Sequence, residues 1–153
     1  AYLWIAGEGP LLNDLDKLAE KLAVKPRVRF LGWRDDEAAL LQTAALFVCP
    51  SRHEPLGNTV IEAWAQNTPV VAADSYGPGT LITHLNSGVL VPINDSATMA
   101  RAIRNVIEDP ELAARIVENG RLEYESKFTE EIVTGQYLEF FNKVLEPCAA
   151  SPV

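Results

Sequence analysis

The chain has 153 residues, enough for one domain with a proper core and too few for two of ordinary size. Hydrophobic residues make up 48% and charged residues 22%, which is globular composition, and no run reaches the roughly 20 apolar residues of a spanning helix. The formal net charge of -8 argues against nucleic acid as a partner, because phosphate-tracking surfaces are basic. It leaves room for a small phosphorylated ligand held by backbone amides at a helix N-terminus. No signal-peptide pattern opens the sequence. Cys49, in an apolar run, and Cys148, near the end, form neither a disulfide framework nor a zinc spacing, which points to a reducing, cytoplasmic setting. The opening "AYLWIAGEGP" lacks an initiator methionine and enters at once into a strand pattern, the expectation for a piece of something larger.

Strand-length apolar runs alternate with amphipathic stretches along the first two thirds. The predicted strands are Tyr2–Ala6, Val28–Leu31, Leu46–Cys49, Val70–Ala73 and Val89–Val91. Most are continuously apolar, as expected of strands covered on both faces. Helices are predicted over residues 11–23, 36–44, 58–66 and 78–84. In the first, Leu11, Leu15, Leu18 and Leu22 recur at three and four residues and form one stripe. This order predicts an α/β, Rossmann-like parallel sheet with helices on both faces. Three further helices, over 95–108, 110–126 and 129–145, are opened by Asp95-Ser96, Asp109-Pro110 and Thr129-Glu130-Glu131. Residues 146–153 read as a tail.

Ligands of open parallel sheets bind outside the carboxyl ends of the strands. The informative loops are therefore Gly7–Pro10, Gly32–Arg34, Pro50–Asn58 and Asp74–Thr80. The first, "GEGP", lacks the third glycine of a dinucleotide fingerprint and the Lys-Ser/Thr ending of a P-loop. It is equally a tight turn and a place where a ligand approaches the backbone. The third carries more. Pro55 pushes Glu54 toward extended backbone, Gly57 permits an unusual dihedral, and Asn58 is a good N-cap for the helix "TVIEAWA". The amides around Gly57, Asn58 and Thr59 then offer an anion site at the positive end of a helix dipole. Glu62 lies four residues past Asn58, about 6 Å along the helix axis, roughly the step from a diphosphate to its ribose. This arrangement predicts a nucleoside diphosphate on the turn, with ribose toward Glu62 and cargo toward Glu54.

These residues resemble the donor-binding half of retaining GT-B glycosyltransferases, the large family 4 class that includes many lipopolysaccharide and mannosyl transferases. The family's Glu-(seven residues)-Glu spacing matches Glu54 and Glu62, with Gly57 between them. "WIAGEGP", "VRFLGW", "ALFVCPS", "EPLGNTVIEAWA", "TPVVAAD" and "GVLVP" fall in the family's order across residues 2–145. The resemblance implies that Glu54 contacts donor-sugar hydroxyls and stabilises charge near the anomeric centre. It implies that amides at Leu56, Gly57 and Asn58 hold the distal phosphate and that Glu62 binds the ribose. The backbone near Trp33 and Arg34 would meet the base, and Gly7 would line the floor of the cleft. It implies a nucleotide-sugar donor, a glycan or lipid-linked acceptor, no cofactor and no metal, with the enzyme cytoplasmic and peripheral to the inner membrane face. It also implies absences: the Lys/Arg pair that neutralises the diphosphate, the first strand–helix unit and the N-terminal acceptor domain are not in this sequence. Thr80 stands where relatives often carry Glu. The fragment alone is expected to bind donor weakly and to be inactive.

Other readings remain open on the residues alone. His53 beside Glu54 invites an acid–base role, although a solvated loop histidine is the plainer expectation, as is a surface position for His84. Arg52 and Arg34 can reach phosphate or pair with the abundant acids. Trp4 and Trp64 are expected in the core, with Trp33 the better ligand candidate. Two glutamates also fit a glycoside hydrolase, but an anion site on the helix between them speaks against it. A regulatory flavodoxin-like domain and a GT-B sugar epimerase are the main alternatives.

Overall fold

The structure is a computed structural model that describes residues 1–145; the predicted tail and Cys148 lie outside the described residues. Among the described residues, five strands and seven α-helices alternate much as the apolar pattern requires. The strand ladders among the described residues are parallel, in two hydrogen-bonded sets, β1–β2 and β3–β4–β5, within two compact units that divide at Glu37.

The first unit holds β1 (Leu3–Ala6), α1 (Leu12–Lys21), a 3-10 turn over Lys25–Arg27 that the sequence did not announce, and β2 (Val28–Gly32). Leu3 and Trp4 pair with Val28 and Arg29. Among residues 1–37 only Ala19 is buried. The leucine stripe of α1 is exposed, and Trp4, expected in the core, is 46% exposed. A two-stranded ribbon with one helix encloses too little volume to bury either. The Lys25 ammonium bonds Asp16 (2.5 Å) and Glu20 (2.8 Å), and these two hydrogen bonds hold its pKa above the ordinary lysine value.

The second unit holds α2 (Glu37–Thr43), β3 (Phe47–Cys49), α3 (Asn58–Ala65), β4 (Val70–Ala73), α4 (Tyr76–Leu81), β5 (Val89–Val91), α5 (Ser96–Glu108), α6 (Pro110–Lys127) and α7 (Glu130–Leu145). Here the covering of both sheet faces can be followed residue by residue. On central β4, Val70 and Ala72 join Cys49, Val60, Ala63 and Trp64 in one apolar cluster. Val71 points the other way, with Val89, Val91, Ala102, Val106 and Ile116. Alternation along one strand thus places α3 on one face and α5 with the first half of α6 on the other, while Gly120 and Tyr124, later in α6, pack on the α3 side. Val70, Val71 and Ala72 are completely buried; each valine contributes about 2 kcal/mol relative to an exposed one.

Two contacts fix α3. Trp64 is 1% exposed, and its indole N–H donates to the Ser87 carbonyl at 2.9 Å. Helix α6 comes close at Gly120, where a Cβ would lie 2.4 Å from the Trp64 ring. Asp95 caps α5 by accepting from the Thr98 amide, and the Thr98 hydroxyl bond, the larger influence, holds its carboxyl below the usual range. Asp109 caps α6 at the amides of Glu111 and Leu112, with Pro110 in the first turn. Helix α4 starts at Tyr76, two residues before its predicted start. Pro78 stands in the first turn, where its missing N–H costs nothing.

Candidate donor site

The loop after β3 carries Glu54, and the structure explains its shape. Gly57 has φ 86 and ψ 39, a left-handed conformation that other residues rarely adopt. It, and not Asn58, is the N-cap of α3; Asn58 is the first helical residue, and no side chain caps from the Gly57 position. The Glu54 carboxylate reaches forward within its own loop, where Oε1 accepts from the Gly57 amide at 3.1 Å. One of the three amides expected to hold phosphate is therefore already occupied by an anion of the chain itself. The next two amides, of Asn58 and Thr59, have no acceptor among the described residues, and both residues are exposed. Leu56 is exposed beside them. Glu62, further along α3, is also exposed.

A glycine absent from the predicted site holds this loop in place. The Gly77 amide donates to the Glu54 carbonyl at 2.7 Å. A Cβ on Gly77 would lie 2.5 Å from the Leu56 carbonyl carbon and 2.7 Å from both the Glu54 oxygen and the Gly57 nitrogen. Gly57 in turn faces Leu81 and the Pro78 nitrogen. Loop and α4 thus meet backbone to backbone, which only a residue without a side chain allows at position 77. The sequence signal was "YGPG", but its partner lies twenty residues earlier. Thr80, of unassigned role, hydrogen-bonds the Gly77 carbonyl at 2.8 Å and closes the first turn of α4.

Beside this loop, at the carboxyl ends of β3, β4 and β5, lies an open cleft of about 520 Å³ lined by residues 52–55, residues 74–76 and Ile93. His53 and Arg52 are exposed on its wall. Among the described residues, no cluster of His, Cys, Asp and Glu is arranged to hold a metal ion.

The remaining predicted residues gather in the first unit at the ends of its two strands. Gly7, with φ 111, donates its amide to the Gly32 carbonyl at 2.7 Å. Trp33 follows directly and is 79% exposed. The Arg34 guanidinium is a two-pronged partner of Asp36, at 2.8 and 2.6 Å, so its side chain is engaged locally. That hydrogen bonding raises the arginine pKa and lowers that of Asp36.

The model of the family described as Glycosyl transferases group 1 matches residues 1–123. The chain belongs to this family. Members to which it is similar include the lipopolysaccharide core biosynthesis glycosyltransferases LpsE and LpsD of Rhizobium meliloti, at 42% identity over 90% and 35% over 93% of the chain. The chain spans 41% of the length of each. Among solved structures, Anabaena Alr3699/HepE in complex with UDP superimposes with TM-score 0.89 at 27% identity, covering 94% of this chain and 41% of that one. The same protein with UDP-glucose gives TM-score 0.87 at 28% identity over 93% of this chain and 41% of that one. This group 1 chain therefore has the Rossmann-like architecture of the GT-B glycosyltransferases, and the family is one of transferases. No helix among its described residues is long and apolar enough to cross a membrane.

Proposed function

We propose that the chain is the nucleotide-sugar donor-binding part of a retaining glycosyltransferase that builds a cell-envelope glycan or lipopolysaccharide from the cytoplasmic side. The observation that carries the reading is the start of α3: open amides at Asn58 and Thr59, between the carboxylates of Glu54 and Glu62, at the carboxyl end of β3. Such an end attracts anions through its amides and its dipole. Glu54 already places a carboxylate on the neighbouring Gly57 amide, which is the behaviour of an anion site.

In this reading the distal phosphate sits on the α3 amides, Glu62 accepts from the ribose hydroxyls, and the sugar faces Glu54. Transfer breaks the bond between the anomeric carbon and the phosphate oxygen, and the acceptor oxygen takes its place. The acceptor proton leaves with the departing phosphate. Negative charge grows on the phosphate as the bond breaks, and aimed amides stabilise it there. Positive charge grows on the sugar ring beside Glu54. The helix end supplies the cationic pole, so no metal is required. The UDP and UDP-glucose complexes of HepE support a nucleotide-sugar donor, and the names of LpsE and LpsD support a lipopolysaccharide acceptor.

Titration with UDP and with GDP, followed by backbone amide shifts without added metal, tests the reading. The expected result is movement of Asn58, Thr59 and Glu62 with affinity in the millimolar range, roughly 4 kcal/mol. Shifts confined to the amino ends of the strands overturn it.

A further inference from the structure

The open cleft beside the donor loop holds a hydroxyl that its own helix cannot use. Ser75 is the N-cap of α4, is 3% exposed and lines the cleft, yet its Oγ has no hydrogen-bond partner among the described residues. The local sequence explains the vacancy. An N-cap serine bonds the amide of the second or third helical residue. Here the second, Gly77, gives its amide to the Glu54 carbonyl, and the third is Pro78, which has no N–H. Buried hydroxyls are ordinarily satisfied, so an orphan at a cleft wall points to a partner that arrives with a ligand.

The surrounding groups define that ligand. Tyr76, the next residue, is 79% exposed, and Ile93 across the cleft is 39% exposed. Together they offer an aromatic and an aliphatic surface suited to the C–H face of a sugar ring. Asp74 and His53 supply polar groups for ring hydroxyls around the same opening. Glu54 is a wall of this cleft and also the residue facing the donor sugar in the function proposed above. We propose that the cleft is a carbohydrate subsite through which this chain itself grips the acceptor glycan, next to the donor sugar. The assignment of the glycan as acceptor rests on the donor reading; the binding of carbohydrate in the cleft does not.

The two are separated by titrating the chain with methyl α-D-glucopyranoside or methyl α-D-mannopyranoside, and independently with UDP. At least one glycoside is expected to shift the amides of Ser75, Tyr76 and Ile93 while leaving Asn58 to Glu62 in place, with UDP doing the reverse. Tyr76→Ala and Ser75→Ala should each weaken glycoside binding, by about tenfold for the tyrosine, and leave the UDP shifts unchanged. Both variants are expected to fold, because one side chain is exposed and the other hydroxyl bonds nothing. Glycoside shifts absent from the cleft, or indifferent to Tyr76→Ala, overturn the subsite and leave the donor reading intact. Missing UDP shifts at Asn58 to Glu62 overturn the donor reading and, with it, the naming of the bound glycan as acceptor.

Discussion

Glu54 and Glu62 are both carboxylates near one helix end, yet their surroundings give them different work. Glu62 stands on the exposed side of α3, and the ribose contact proposed for it would be made equally in ground and transition states. In an enzyme assembled from this chain and an acceptor-binding half, Glu62→Ala should therefore raise KM for the donor and leave kcat nearly unchanged. If Glu54 faces the sugar where charge develops, as proposed, Glu54→Ala should lower kcat about a hundredfold, or roughly 3 kcal/mol. Steady-state kinetics on the two variants checks the split. The bond from the Gly57 amide to Glu54 adds a consequence invisible in the sequence. Its loss should cost about 1 kcal/mol of stability, seen as a small fall in Tm, without unfolding the domain. A Glu54→Ala variant that unfolds while its surviving folded fraction keeps full turnover would make the residue structural.

At the scale of elements, the candidate donor site is a junction between a loop and a short helix, and Gly77 is the point where they touch. Gly77→Ala places a methyl group against three backbone atoms that cannot rotate away. The variant should lose about 3 kcal/mol of stability and its UDP-dependent amide shifts together, measured by denaturant unfolding and by titration. The strands were legible because β3, β4 and β5 are continuous apolar runs, and the turn around Gly57 because Pro, Gly and Asn carry strong local preferences. That Glu54, Gly57 and Glu62 come together was legible for the same local reason, since one loop and one helix hold them all. Gly77 and Ser75 were not. Their significance depends on the Glu54 carbonyl, and a hydrogen bond across that interval leaves no periodic trace. The N-cap was misplaced by one residue because Asn58 has the better capping side chain, while the left-handed backbone at Gly57 decided the matter. The leucine stripe of α1 shows the converse limit. Periodicity identifies a face, not what covers it.

Across the whole molecule, burial is uneven. The second unit contains a central strand with no exposed residue, whereas residues 1–37 bury only Ala19. Hydrogen exchange should follow this division, with amides of β4 protected about a hundredfold or more beyond those of β1 and β2. Equal protection in both would mean that the units open as one. The tryptophans make the same division visible to light. Trp4 and Trp33 belong to the first unit and are exposed, whereas Trp64 belongs to the second and is enclosed beside Gly120 and Phe128. The emission of the chain is therefore a sum of two colours. Trp4 and Trp33 contribute a red-shifted component that acrylamide quenches, and Trp64 a blue-shifted one that it does not reach. As Trp64 closes the far end of the helix whose first turn is the proposed donor site, the blue component is a native optical gauge of whether that helix is seated.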